Sequence, residues 1–204
     1  MGEHSRIYLV DDDDAIRRSA SFMLRTAGYR VDIFNSGDDF LKALRELEPG
    51  CVLLDVRMPG SSGLDVQDAL NARGVTMPVI IMTGHGDVPI AVAAMKAGAV
   101  DFIEKPFEKS ALVDALEKAE SRLGNDSASD RSGEDARRKI NVLTPRERDV
   151  LKGLAVGLPN KTIAYDLGIS PRTVEVHRAN LMSKLGVRSL SDALRIAFAA
   201  GVGG

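Results

Sequence analysis

Arg6-Ile-Tyr-Leu-Val-Asp-Asp-Asp-Asp14 decides the fold. A five-residue apolar run (RIYLV) is too short for a helix and ends abruptly in acids. Such a run reads as a buried strand, and the acids that follow suit the start of a helix. The same motif of a short run followed by a helical pattern recurs along the front of the chain. RVDIF at 30–34, CVLL at 51–54, VIIM at 79–82 and DFI at 101–103 are further strands. Ile16, Ala20, Met23, Leu24 and Ala27 share a helical face that Gly28 stops. Ser36 caps a second helix with Phe40, Leu41 and Leu44 inward. Leu64, Val66, Ala69 and Leu70 give a third, residues 90–97 a fourth, and Leu112, Val113, Leu116, Ala119 and Leu123 a fifth. Five strands alternating with five helices predict an α/β module: a doubly wound, five-stranded parallel sheet with helices on both faces.

Outward from this module the composition changes. The 204 residues carry 27 Lys+Arg and 29 Asp+Glu, a net charge of −2. Residues 1–123 sum to −6, residues 124–140 to zero and residues 141–204 to +4. An acidic front and a basic back imply modules with different partners. GNDSASDRSG at 124–133 contains no large apolar residue and reads as linker. The expected division is therefore 1–123, a linker at 124–140, and 141–204. No apolar run approaches the ~18 residues of a membrane span, and the first ten residues lack a signal peptide's apolar stretch, so no membrane is expected and the cytoplasm is. One cysteine, Cys51, excludes an internal disulfide and a cysteine-rich zinc site.

In a doubly wound sheet the ligand site lies beyond the carboxyl ends of the strands. Those ends share a chemical theme: Asp11 and Asp12 after the first strand, Asp55 at the third, Thr83 at the fourth and Lys105 after the fifth. Three converging carboxylates repel one another and call for a cation. Hard oxygen donors suit Mg²⁺, which keeps water and takes phosphoryl oxygen. A carboxylate beside Mg²⁺ and a lysine can attack phosphorus, with the hydroxyl and the ammonium stabilising equatorial charge. No Ser/His/Asp set, reactive-cysteine setting or Gly-rich nucleotide loop offers another chemistry. Taken singly, each of these residues has a plainer role, Asp11–Asp14 as a helix start, Asp55 as a turn former and Lys105 as a surface lysine. Their combination at four strand ends is what carries the inference.

VDDD at 10–13, LLDVRMPGSSG at 53–63, IIMTGHGD at 80–87 and DFIEKPF at 101–107 closely resemble the receiver domain of two-component response regulators, over about 120 residues in unbroken order. The resemblance implies that Asp55 accepts a phosphoryl group from a sensor histidine kinase. It implies that Asp12, Asp55 and the backbone carbonyl of Arg57 hold Mg²⁺, with Asp11 acting mostly through water. Thr83 would contact the phosphoryl group, Lys105 would pair with it, and Phe102 would be the aromatic switch. Such a protein accepts phosphate without being an enzyme, apart from slow self-dephosphorylation. Phosphorylation adds charge and strong acceptors to a packed site, and Thr83 moving towards it would vacate space for Phe102. Gly60 stands where the family often has an acid, outside the ligand set. His85 reads as an exposed loop residue.

The back module opens with Thr144-Pro145 and Glu147, a capping box with a first-turn proline. Val150, Leu151, Leu154 and Ala155 are inward; Gly157 ends that helix. A short helix starts at Asn160, Gly168 makes a turn, and Ser170-Pro171 starts a longer helix through Leu185. Its inward residues are Val174, His177 or Ala179, Leu181 and Leu185. A fourth helix runs from about Ser191 to Ala200. Two helices about a glycine turn in a basic module suggest major-groove docking of the second. Arg172, Thr173, Glu175, Val176, Arg178 and Lys184 lie on its outward side, and Asn160, Lys161 and Arg172 near helix starts suit phosphate contacts. The competing reading is a four-helix module that docks protein.

LTPRERDVLKGLAVGLPNKTIAYDLGISPRTVEVHRANLMSKLGV at 143–187 closely resembles the LuxR-type DNA-binding domain. By that resemblance Glu175, Val176 and Ala179 face base edges, with His177 and Arg178 close by; Pro159 replaces the usual small polar residue before Asn160. Receiver plus LuxR-type helix-turn-helix resembles the NarL/FixJ class of regulators, and residues 83–108 and 170–187 resemble most its nitrogen-fixation activators. The implied function is phosphorylation-driven homodimerisation, binding to double-stranded promoter DNA and engagement of RNA polymerase. The alternative is a receiver that serves as a phosphate sink beside a protein-docking module.

Overall fold

The structure, a computed structural model, describes residues 6–84, 88–123 and 132–203. His85 lies outside them. The chain divides into two compact units, one of residues 1–85 and 97–126, the other of residues 86–96 and 127–204.

In the first unit, β1 (Arg6–Val10), β2 (Arg30–Phe34), β3 (Gly50–Asp55), β4 (Val79–Thr83) and β5 (Asp101–Glu104) form one sheet ordered β2-β1-β3-β4-β5. Every pairing is parallel. The sheet carries α1 (Asp14–Thr26), α2 (Gly37–Ala43), α3 (Gly63–Ala72) and α5 (Lys109–Leu123). The side-chain alternation of a strand sorts the core into two layers. Ile7, Leu9, Cys51, Leu53, Ile80 and Met82 pack with Ala20 and Leu24 of α1 and Leu112, Leu116 and Ala119 of α5. Residues of the opposite parity, Tyr8, Val10, Val52, Leu54 and Ile81, are fully buried too. On that side the Tyr8 ring meets Phe40 of α2 at 6.1 Å, and Phe34 meets Phe40 edge-on at 5.3 Å. Burial on both faces explains why β1, β3 and β4 are apolar runs rather than alternating ones, whereas the edge strands β2 and β5 keep exposed positions. Helix starts are capped as expected: Asp13 accepts from Ala15 and Ile16 N–H, and Ser36 from Asp39 N–H. Each such cap contributes about 1 kcal/mol. The second helix is shorter than its apolar pattern suggested, with Leu44–Glu46 tightened into a 3₁₀ turn.

In the second unit the helix α4 (Val88–Lys96) falls with residues 127–204. There α6 (Ser132–Asn141), α7 (Pro145–Ala155), α8 (Asn160–Leu167), α9 (Pro171–Leu185) and α10 (Leu190–Ala199) are all helical. The four helices from residue 145 onward match the sequence expectation, including the reciprocal capping box of Thr144 and Glu147. The helix α6 differs from it. Residues 132–140 fall within the span assigned to linker, yet Ala136 and Ile140 are buried at 5% and 8% exposure. Their i, i+4 spacing puts both on one side, and α10 packs there. Two apolar residues in a ten-residue segment were too weak a stripe to announce a helix. Gly168 and Gly186 end α8 and α9 in the left-handed region, at φ 64° and 69°, where a side chain costs ~1–2 kcal/mol.

A candidate phosphorylation site and a candidate nucleic-acid interface

The strand order reverses direction between β1 and β3, both neighbours of the same crevice. At such a switch point the loops leave in opposite directions and open a cleft at the strand ends. The acids stand there. Asp11 and Asp12 follow β1, and Asp55 ends β3. Carboxylate oxygens of all three lie within 4.8 Å of one another. Asp11 is fully buried, Asp55 is 6% exposed and Asp12 is open to solvent. Asp11 is held by its own backbone, its N–H donating to Phe34 O at 3.2 Å. Its Oδ1 accepts from Asp13 N–H at 2.9 Å. Arg17 donates to the Asp11 carbonyl at 2.8 Å.

Lys105 completes the cluster from the other side. Its Nζ lies 2.7 Å from Asp11 Oδ2 and 2.8 Å from Asp55 Oδ1. The loop that carries it is strung to the end of β4, because Lys105 N–H donates to Thr83 O at 2.7 Å. Burial pushes the Asp55 carboxyl above the usual aspartate range; Lys105 opposes this, the charge of Asp11 adds to it, and the Arg57 backbone N–H opposes it again. For Lys105, burial disfavours the ammonium, but hydrogen bonds and charge from Asp11 and Asp55 outweigh it and leave the pKa raised. Two carboxylates around one ammonium is a locally anionic site with hard oxygen donors, which fits a small divalent cation.

Thr83 is buried at 1% exposure, its hydroxyl donating to Gly84 O at 2.9 Å. Phe102 is half-buried on β5, in register with Ile81, while Thr83 is in register with Glu104. Gly63 is required by close approach: a Cβ there would stand 2.3 Å from Asp55 O. This residue was not singled out from sequence, since nothing local distinguishes it from any other helix-start glycine.

In the second unit α8 and α9 meet about Gly168. Ile163, Ala164, Val174, Leu181 and Leu185 are buried. His177 is half-buried and Ala179 exposed, which resolves the open alternative for the inward position in favour of His177. Glu175 and Ala179 are exposed, as is Val176 at 50% despite its apolar side chain. Arg172 is exposed and pairs with Glu175 at 3.3 Å, one turn on. Thr173 is tied to Ser170 through their hydroxyls at 2.8 Å. Arg178 reaches across to α8, donating to Asn160 Oδ1 at 3.0 Å. Lys161 is exposed at the start of the same helix, whose N-cap is Pro159 and lacks a side-chain cap. Asn160 and Lys161 thus stand at the start of α8, and Arg178, which reaches Asn160, lies with Glu175 and Val176 on α9.

Lys184 differs from the other outward candidates. Its Nζ lies 2.8 Å from Glu147 Oε2, and Glu147 is 3% exposed. The Glu147 carboxyl is held below the usual range: burial would raise it, but Lys184 and the Thr144 N–H and hydroxyl prevail.

The family model of the response regulator receiver domain matches residues 7–117, and that of the luxR family of bacterial regulatory proteins matches residues 141–197. The chain belongs to the response regulators with a LuxR-type DNA-binding domain. Response regulators of this architecture are transcription regulators rather than catalytic enzymes. The chain is 50% identical to the transcriptional regulatory protein FixJ of Azorhizobium caulinodans, over 99% of this chain and 96% of that one. It is 46% identical to FixJ of Rhizobium meliloti, covering 97% of each. Among solved structures it is similar to full-length FixJ from B. japonicum, with a TM-score of 0.59, 46% identity and 98% of each chain covered. Like these relatives, this response regulator joins a parallel α/β unit to a helical one. Among the described residues no helix is long and apolar enough to cross a membrane.

Proposed function

We propose that this response regulator is switched by phosphorylation of Asp55 by a sensor histidine kinase, and that the phosphorylated form dimerises and binds promoter DNA. The observation that carries the proposal is the placement of Lys105 between Asp55 and Asp11, at the ends of three different strands of one crevice. In the transfer, Asp55 Oδ forms a bond to phosphorus as the phosphorus–nitrogen bond to the donor imidazole breaks, and the imidazole keeps the electron pair. Lys105 and the Arg57 N–H favour the anionic form of Asp55 against its burial. After transfer, Lys105 is placed to pair with the phosphoryl oxygens, and Thr83 to donate its hydroxyl to them. Asp12, Asp55 and the Arg57 carbonyl would hold Mg²⁺, with Asp11 acting mostly through water. When bound, the ion supplies charge that stabilises the equatorial oxygens.

Thr83 drawn towards the phosphoryl group leaves room that Phe102 fills, and the surface about β5 changes with it. On the DNA side, Glu175, Val176 and Ala179 face base edges and Asn160, Lys161 and Arg172 face phosphates. Thr173, His177 and Arg178 support them. The FixJ names of the relatives favour activation of nitrogen-fixation genes with RNA polymerase as partner, and promoter binding places the protein in the cytoplasm. Incubation with phosphoramidate and Mg²⁺, followed by peptide mapping, tests the site. Hydroxylamine-labile phosphate on the peptide containing Asp55, absent in Asp55→Asn, is expected; phosphate that persists in Asp55→Asn contradicts the assignment.

A further inference from the structure

We infer that Asp38, on a different element from every residue of the acidic cluster, is a positioning residue for Mg²⁺ affinity. This rests on the proposed role of Asp55 and the Arg57 carbonyl. The chain leaving β3 is held at both ends. Val56 N–H donates to Met82 O at 3.0 Å, and Ser62 caps α3 with Gly63 N–H donating to Val56 O at 3.0 Å. Between these points lies Arg57, whose backbone N–H reaches Asp55. The loop turns at Gly60, where φ is 77°. There it meets the start of α2. Ser61 Oγ donates to Asp38 Oδ1 at 2.5 Å. The fit is close on both sides: a Cβ on Gly60 would stand 2.6 Å from Asp38 Oδ2, and a Cβ on Gly37 would stand 2.8 Å from Ser61 O.

Asp38 is itself well placed to hold this position. It is in the first turn of α2, fixed by the Ser36 cap and by the burial of Gly37 and Phe40 on either side. A charge-assisted hydrogen bond to a rigid helix restrains a loop more than a neutral one does. The Arg57 N–H and carbonyl sit in the restrained segment, so the tether sets how far they wander from Asp55. A group that holds a ligand in place without touching the ion alters affinity, whereas the chemistry at saturation stays the same.

The test is calorimetric titration of the full chain with Mg²⁺, paired with the rate of phosphorylation by phosphoramidate at saturating Mg²⁺. Asp38→Ala and Ser61→Ala should each raise the Mg²⁺ dissociation constant about tenfold, the low end of the loss expected for a group that orients a metal ligand. The double variant should be no worse than either single one, since both remove the same bond. The rate at saturation should stay within about twofold. Asp38→Asn, which can still accept from Ser61, should recover most of the affinity. Asp38 is exposed and its variants should fold, which circular dichroism checks. Unchanged Mg²⁺ affinity in the double variant, or additive losses, overturns the inference. If the unaltered chain takes no phosphate on Asp55, the reading of the acidic site fails instead, and the Asp38 variants are then irrelevant to it.

Discussion

Lys105 Nζ stands 2.8 Å from Asp55 Oδ1, although Asp55 ends β3 and Lys105 follows β5, strands separated in the sheet by β4. The lysine side chain crosses the crevice above β4 while its own N–H is tied to Thr83 O. Backbone and side chain of one residue thereby link the ends of β3 and β4 and the acid that follows β1.

Lys105→Ala removes the positive charge from between two buried carboxylates. Burial then raises the Asp55 carboxyl without the ammonium to oppose it. Phosphorylation by phosphoramidate should slow by at least about tenfold, by loss of charge stabilisation worth ~1.4 kcal/mol or more. Any phosphate accepted should fail to promote dimerisation, as read by sedimentation. Normal uptake together with normal dimerisation contradicts the role given to this lysine.

The pair formed by Glu147 and Lys184 predicts a pH dependence. The Glu147 pKa is depressed in the folded state, so its stabilisation is present above the unfolded value of ~4.3 and lost as pH falls through the folded value. In Lys184→Met the lowering by Lys184 is lost and the folded pKa rises. The gain in stability as pH rises from about 4 to 7 then shrinks. The cost near neutrality should be about 1–2 kcal/mol, reduced by the partial exposure of the lysine. Scanning calorimetry of the full chain between pH 3 and 7 would show the unfolding of residues 141–204 shifting in this sense.

These two cases mark what the sequence carries and what it does not. The central strands β1, β3 and β4 were legible because burial on both faces makes them unbroken apolar runs, and the acids because they stand at the ends of two of those runs. Strand order is a matter of which crossovers go left and right of β1, and no residue states it. The ion pair of Lys184 with Glu147 joins α9 to the start of α7. Spacing along α9 alone put that lysine among the DNA contacts. The contacts of Arg178 with Asn160 and of Asp38 with Ser61 are equally non-local. The helix α6 was hidden for another reason: its buried stripe is only Ala136 and Ile140 within a polar segment.

Lys161 and Lys184 should therefore part company on DNA. Lys161→Ala removes an exposed cation at the start of α8 and should lower the slope of log affinity against log salt by about 1. Lys184→Met should leave that slope unchanged, because its ammonium is engaged by Glu147. Fluorescence anisotropy on a promoter fragment across a salt series measures both. Equal slopes in the two variants contradict the division.

Gly168→Ala isolates backbone conformation at the turn between α8 and α9. No atom lies within 4 Å of the added Cβ, and φ is 64°. The cost is therefore the left-handed conformation alone, ~1 kcal/mol. Thermal unfolding should show a modest decrease in Tm for residues 141–204. A loss large enough to unfold them at room temperature contradicts an explanation by conformation alone.

The most direct test of the whole account is the affinity of the full chain for a promoter fragment, measured by anisotropy with and without phosphoramidate and Mg²⁺. For the unaltered chain the donor should tighten binding by about tenfold or more, within the usual range of coupling between sites. For Asp55→Asn it should change nothing. Equal affinity with and without donor, or a response that survives in Asp55→Asn, would contradict control of DNA binding by phosphate on Asp55.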